Sequence, residues 1–413
     1  MKKKYLVMTI IGLFLLTCSL IMTQSSLEKE NNKENIVSKG RMLSLMVEQT
    51  AGAGDYKPVT QSNWPTDGYK YNAELSGCEN DGKLMWDDEE KKVILQGNVS
   101  DKCYVYFDIY EEKVLLSDYV ISQYTGTQGE NGIYYHNAGL TNGAKDDSYR
   151  YAGANPNNYV CFGSNDSTCP NDNLYRIVSV KDGKVKLIKS DYANSNLLGT
   201  DGDYANSGNP NATYYKGNLT TINTYYWNNN ADTSNYNNTW STSLLNKTNL
   251  NTNFINNIGS EWAKKIAVTT WKVGGNTYAN IYSVTPTVAY QNEIVNPVTT
   301  NSTDNAKEYD AKIGLMYVSD YGFAASPSAW TLTMSKYNNT TATSNNWMYM
   351  GYFEWTLTRI VDSSINVFYL AVTGLVDSDL VNLGDGIRPV FNLEDSVAYK
   401  SGSGTSSDPI RIN

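Results

Sequence analysis

The longest apolar stretch is Tyr5–Met22, eighteen residues without a charge, directly behind Lys2, Lys3 and Lys4. A basic stub followed by an apolar run is what a secretion apparatus reads, and the lysines predict the N-terminus inside and residues 23–413 outside. As a helix the run reaches about 27 Å, just short of a ~30 Å hydrocarbon core. Membrane attachment through Tyr5–Met22 and cleavage near Ser25 both stay open. Further along, period-two alternation takes over. Leu174–Val180 and Lys184–Lys189 alternate faces around Lys181-Asp182-Gly183 and predict a hairpin. Tyr69–Leu75, Lys83–Trp86, Lys92–Gln96 and Cys103–Phe107 read as four further strands. Ala311–Ser319, Asn346–Gly351, Glu354–Leu357, Val367–Thr373 and Gly386–Leu393 read as strands toward the C-terminus, with a last short strand after Ser401–Ser407. Helical spacing is confined to two places. Leu115, Leu116, Tyr119 and Val120 predict a helix over Val114–Tyr124, and Phe254, Ile258, Trp262 and Ile266 recur every four residues, with Gly259 as the expected break.

These elements predict a mainly β fold with a few helices, of the α+β class. The expected layout is a signal peptide or anchor over 1–22, a stalk over 23–54 and a small β-domain over 55–108. A connector over 109–154 and a large domain over 155–413 follow. The stalk is polar at first, and Met42–Val47 is apolar enough for a short helix. Ala51-Gly-Ala-Gly54 is a joint, and Trp64-Pro65 opens the small domain.

Composition narrows the function classes. The net charge is −9 and the pI near 4.9, which disfavours nucleic acid and anionic lipid, since both need a cationic face. Only 18% of residues are charged, while 33 are tyrosine. Such a chain makes half-buried strands and Asn-rich turns with an uncharged polar surface. Cys18 lies in the apolar run and raises lipoprotein processing, against which stand Thr17 before it and the apolar continuation after it. The other cysteines are Cys78, Cys103, Cys161 and Cys169. In an oxidising exterior they should close as chain neighbours, Cys78 with Cys103 and Cys161 with Cys169. The first pair matters most, because about 50 residues bury little surface alone.

Candidate chemistry is sparse. His136 is the one histidine, so no Ser-His-Asp, Cys-His or His-rich metal set can be assembled; its Tyr-Tyr-His-Asn setting predicts an exposed loop. No Cys-x-x-Cys occurs, and no metal or other cofactor is expected. Asp87-Asp-Glu-Glu90 reads as a solvated hairpin turn. Asp201-Gly-Asp203 with Asn206 lacks the further ligands of a calcium loop and reads as an Asn/Asp turn. Glu354, among Tyr352, Phe353 and Trp355, is the carboxylate best placed for hydrolysis; its other role is a buried acceptor or a partner for Arg388. Trp330, Trp347, Tyr349 and Trp355 are the candidate ligand-binding rings. Flat apolar faces with polar rims suit carbohydrate or peptide, and the competing role for them is to fill the core of a Leu-poor domain.

The segments Asn346-Trp347, Glu354-Trp355-Thr356, Gly386-Ile387-Arg388-Pro389-Val390 and Gly404-Thr405-Ser406-Ser407-Asp408-Pro409 resemble an uncharacterised domain family common in exported proteins of Gram-positive gut bacteria. Asn158–Ser164, Leu174–Ile177 and Asn98–Tyr106 look like segments that accompany it. More distantly, the Glu-Trp-Thr segment with a closing Gly-x-Arg-Pro strand is similar to the C-type-lectin-like fold, in its sulfatase-modifying, formylglycine-generating branch. The Glu-Pro-Asn loops of calcium-dependent lectins are absent, and no cysteine follows Cys169 to serve as a reactive pair. The resemblance therefore implies a fold and neither activity. Taken together, the sequence predicts an exported surface protein, without catalysis, that binds an extracellular glycan or protein. The alternatives are a secreted carboxylate-dependent hydrolase using Glu354 and a purely structural surface-layer component.

Overall fold

The computed structural model describes residues 42–59, 68–90, 92–96, 101–110, 113–229, 237–299 and 307–413. The apolar run Tyr5–Met22, the early stalk, Trp64-Pro65 and Asn98 lie outside the described residues. The fold is mainly β with a few helices, and the chain divides into two compact units, Met1–Glu112 and Lys113–Asn413.

In the first unit a four-stranded sheet runs in the order Tyr56–Pro58, Met42–Glu48, Lys102–Ile109, Tyr69–Cys78. The hairpin Lys83–Asp87/Lys92–Gln96 accompanies it, turning at the acidic Asp87–Glu90 as expected. Met42–Glu48 is a strand, parallel to Lys102–Ile109, where a short helix was expected. The reason is period: Leu45 and Val47 are buried while Ser44 and Met46 between them are only half-buried, the two-residue repeat of a strand. The small domain therefore starts before residue 55. Its core is Leu45, Val105 and Phe107, with Tyr71 and Trp86 packed on it. Cys78 and Cys103 are bonded, as the sequence predicts, tying the exit of one strand to its neighbour at a Cα separation of 4.0 Å.

The second unit is built on a seven-stranded sheet. At its centre the hairpin Leu174–Lys181/Lys184–Lys189 forms as the sequence predicts. Asp182 and Gly183 both take left-handed φ, 50° and 74°, the geometry whose twist matches a two-residue hairpin. The expected connector is part of this unit from Lys113 on. The helix Leu116–Ser122 buries Leu116 and Val120, and Ile133–Tyr135 and Tyr149–Tyr151 extend the sheet. Cys161–Cys169 closes the loop after Tyr159–Cys161. The four-residue apolar period starts at Phe254, the last residue of a wide π-type helical stretch, Leu245–Phe254, and runs on through a short α turn, Ile255–Asn257. Gly259, at φ +88°, then breaks the chain before Ser260–Lys264, as expected. The expected strand over Ala311–Ser319 is instead two short strands, Glu308–Ala311 and Ile313–Gly314, and the start of a helix, Val318–Ala324. Asp320 decides this: its Oδ2 accepts the Tyr317 N–H at 3.0 Å and caps the helix. Asn346–Gly351 forms no strand; the chain there turns inward and buries Trp347 and Met348.

The same unit buries a charged network. Arg150 pairs with Asp146 at 3.0 Å and Asp320 at 3.4 Å, and Lys186 reaches Asp320 at 2.5 Å. Burial would raise the Asp146 carboxyl, but Arg150 with the Ser148 and Tyr290 hydroxyls holds it well below its ordinary range. Glu293 is buried beside this network, and no ion pair among the described residues involves it; it accepts from the Ser319 N–H at 3.1 Å and the Thr358 hydroxyl at 2.6 Å. Burial pushes its carboxyl up to about 7. His136 is fully buried, where an exposed loop was expected. Its Nδ1 accepts the Ala144 N–H at 3.0 Å, and its ring packs on Phe323 and Trp330.

Candidate ligand-binding face

The four rings singled out from sequence are interior. Trp330, Trp347, Tyr349 and Trp355 are 0%, 3%, 6% and 1% exposed. Each has its polar atom satisfied by a backbone carbonyl: Trp330 by Ala325 and Trp347 by Tyr151, both at 2.8 Å, Tyr349 by Val372 at 2.7 Å and Trp355 by Tyr225 at 2.8 Å. Such rings fill the core, and as folded none of them offers a face to solvent. Of the two roles open to them, the structure places them in the second.

Glu354 is held in the same way. On the strand Glu354–Ile360, its Oε1 accepts from Arg388 Nε at 2.7 Å and its Oε2 from Arg388 Nη2 at 2.9 Å. Tyr192 donates to Oε2 at 3.2 Å. Burial pushes the carboxyl upward and the guanidinium pulls it back. Both oxygens are engaged by Arg388, and the residue is buried away from solvent. The pairing with Arg388 is the structural role read from the sequence.

Aromatic surface appears elsewhere, on a face that the sequence reading missed. It is assembled from three pieces. The helix Tyr278–Ile281 is capped by Thr277, which accepts the Asn280 N–H at 3.2 Å. Ile281 anchors it in the core, so Tyr278 and the following-turn Tyr282 share the outer side, 43% and 46% exposed. Their hydroxyls hydrogen-bond at 2.8 Å. That bond pushes the Tyr282 phenol up to about 12, and Asp377 adds to the effect.

The second piece is the antiparallel pair Asn366–Leu370 and Val376–Leu380. Phe368, Leu370 and Val376 face the core. Tyr369 lies directly across from Asp377, and Val367 across from Asp379, so the two aspartates share one side with half-buried Tyr369 and fully buried Val367. Burial first, then Asp377, Asp379 and Asp385, push the Tyr369 phenol up to about 12. Trp355 is Tyr369's partner on the other neighbouring strand, 6.3 Å ring to ring. One predicted ring therefore packs alongside Tyr369 on the same side of the sheet.

The third piece is Phe353, 39% exposed, its ring 5.9 Å from Tyr369 and 5.9 Å from Tyr352. At the inner side, on the two-residue strand Gly384–Asp385, Asp385 is 4% exposed and its Oδ2 has no hydrogen-bond partner. Burial pushes this carboxyl well up, and the neighbouring Asp379 and Glu354 charges push it further. The result is a run of rings, Tyr282, Tyr278, Tyr369, Phe353 and Tyr352, edged by Asp377 and Asp379. It can stack on flat apolar faces and accept hydrogen bonds or a positive charge. The sequence signal was the alternation Asp377-Ser-Asp379 opposite Tyr369, but nothing in one chain places Tyr278 and Tyr282 beside it.

Metal-ligating geometry is limited. Among the described residues one set of three His, Cys, Asp or Glu side chains comes within 4.8 Å, namely Cys78, Asp101 and Cys103. The two sulfurs are bonded to each other, and Asp101 accepts from the backbone of Asn80 and Gly82. Two shallow clefts, of about 490 and 340 Å³, lie near the C-terminus and are lined mainly by Ser, Lys, Glu and Asp. They include none of the predicted ring residues. Among the described residues no helix is long and apolar enough to cross a membrane. Compared with known proteins, the chain matches no family model, no curated protein and no solved structure.

Proposed function

We propose that this is an exported, non-catalytic recognition protein of the cell surface, and that its ligand is an extracellular carbohydrate. The observation that carries the reading is the run of exposed Tyr282, Tyr278 and Phe353 with half-buried Tyr369, beside Asp377 and Asp379. Tyrosine rings give flat apolar area at low conformational cost, and carboxylates accept sugar hydroxyls. Two disulfides and a basic stub ahead of an apolar run support an oxidising exterior. The proposal keeps the larger unit as a C-type-lectin-like recognition domain and the N-terminal run as signal or anchor. A glycan array probed with the full chain tests it, alongside Tyr282→Ala and Tyr369→Ala. Binding that both variants lose, with unchanged thermal unfolding, is the expected result. Undiminished binding in both variants, or capture of a protein and no glycan, would remove this reading.

A hydrolase reading retains one observation in its favour. Burial raises the Asp385 carboxyl within electrostatic reach of Glu354 and Asp379, the direction a proton donor beside carboxylates needs in glycoside hydrolysis. Release of reducing ends from a bound oligosaccharide, abolished in Asp385→Asn, would favour it over recognition alone.

A further inference from the structure

We propose that the carbohydrate taken at this face is cationic, an oligosaccharide whose sugars carry free amino groups in place of N-acetyl groups. The inference rests on the carbohydrate-recognition reading above and adds the charge of the ligand to it.

The helix and the strand pair that carry the rings bring no base of their own, and Arg359, on the neighbouring strand directly across from Val367, is buried. Between Arg359 and Arg388 the chain carries four aspartates and no Lys, Arg or His, and from Val273 to Ala306 it carries no Lys, Arg or His either. Asp377 and Asp379 stand two residues apart on one side of their strand, so each is the other's like-charged neighbour. Each has one carboxylate oxygen held by the next residue's N–H at 2.8 Å. Among the described residues no ion pair involves Asp377, Asp379 or Asp385. The turn Met334–Lys336 packs against the Asp377 strand, and its Lys336 is exposed and outside these pairs. Beneath the rings, Asp385 keeps a buried oxygen with no protein partner.

A ligand answers this arrangement best if it offers both area and positive charge. A neutral sugar could stack on Tyr369 or Phe353 and donate hydroxyls, but it would leave the two like charges uncompensated. An ammonium on the sugar ring pairs with Asp377 or Asp379 and lies against the faces of Tyr282 and Tyr369, where the ring quadrupole attracts it. A linear polyamine would satisfy the charge and leave the ring area unused.

Calorimetry on the full chain separates these cases with three probes: a glucosamine tetramer, its N-acetylated counterpart, and a linear tetraamine. At about 0.15 M salt we expect the glucosamine tetramer to bind at least about tenfold tighter than either comparator, and high salt to weaken it. Asp377→Asn and Asp379→Asn should each lose about fivefold for the glucosamine tetramer, with thermal unfolding unchanged. Equal affinity for both tetramers, or no effect of either substitution, overturns the cationic assignment and leaves carbohydrate recognition standing. A tetraamine that binds as tightly as the sugar reduces the effect to bulk charge and also overturns it. Failure of both tetramers and of every other glycan on the array removes the underlying reading as well.

Discussion

Single residues show where composition stops being informative. Glu354 and Arg388 were legible as partners, because an acid and a base among aromatic neighbours have few other ways to be buried. The four rings were less legible. A Trp or Tyr whose N–H or O–H finds a carbonyl is as comfortable inside as outside, and that carbonyl belongs to a distant segment, such as Tyr151 for Trp347. His136 was misplaced for the same reason: its buried setting is supplied by Ala144, Phe323 and Trp330. The buried pair makes a sharp prediction. Arg388→Ala leaves Glu354 charged and unpaired in the core and should cost about 3–5 kcal/mol in denaturant unfolding of the larger unit. Removing both partners together should cost less than removing Arg388 alone. Glu293 predicts a pH dependence of opposite sense to that of an ordinary paired carboxylate. In the unfolded chain it ionises near 4.5, whereas the folded protein holds its proton to about 7. Between those values the native state binds more protons, so the stability this site contributes is complete below 4.5 and is lost as pH rises through 7. Glu293→Gln should flatten that fall, by about 3 kcal/mol across the interval. A wild-type minus variant difference that does not change with pH would contradict it.

At the scale of elements, strands with clean alternation were readable and irregular segments were not. The Asp-Gly hairpin and the four strands of the small domain carry their own period and turn chemistry. Met42–Glu48 also carried an alternation, yet its partner Lys102–Ile109 lies some 60 residues away, and parallel pairing leaves no local trace. Val318–Ala324 turned helical through one side chain, Asp320, inside an apolar run that by itself fits a strand. The exposed face joins a helix, a strand pair and a loop drawn from Tyr278 to Asp385, and no window of sequence contains it. The small unit's dependence on its staple is an element-scale prediction. Cys78 and Cys103 close a loop with a sequence separation of 25. The chain-entropy relation gives about 3.5 kcal/mol for such a loop. Against a core of three buried residues, that is enough to decide folding. Cys78→Ser with Cys103→Ser should therefore unfold the first unit at room temperature while the transition of the second stays where it was. Calorimetry would register the change as the loss of one transition, and a variant retaining both would refute it.

For the molecule as a whole, sidedness governs the rest. The apolar run behind three lysines carries the proposal that the chain is exported, and an oxidising exterior would keep Cys78–Cys103 and Cys161–Cys169 closed. The targeting pattern and the sulfur pairing inside the folded units are independent of each other. Both agree with the acidic, Tyr-rich composition, which suits an uncharged polar surface displaying rings and disfavours a nucleic-acid role. A reducing compartment would open the staple of the first unit, leaving its small core without closure, and it would free the loop after Cys161. Protein isolated from its natural producer and alkylated without reductant should therefore show no label at Cys78, Cys103, Cys161 or Cys169. After reduction it should gain label at all four. Label at these positions before reduction would place the chain in a reducing compartment, and a surface glycan would then be out of its reach.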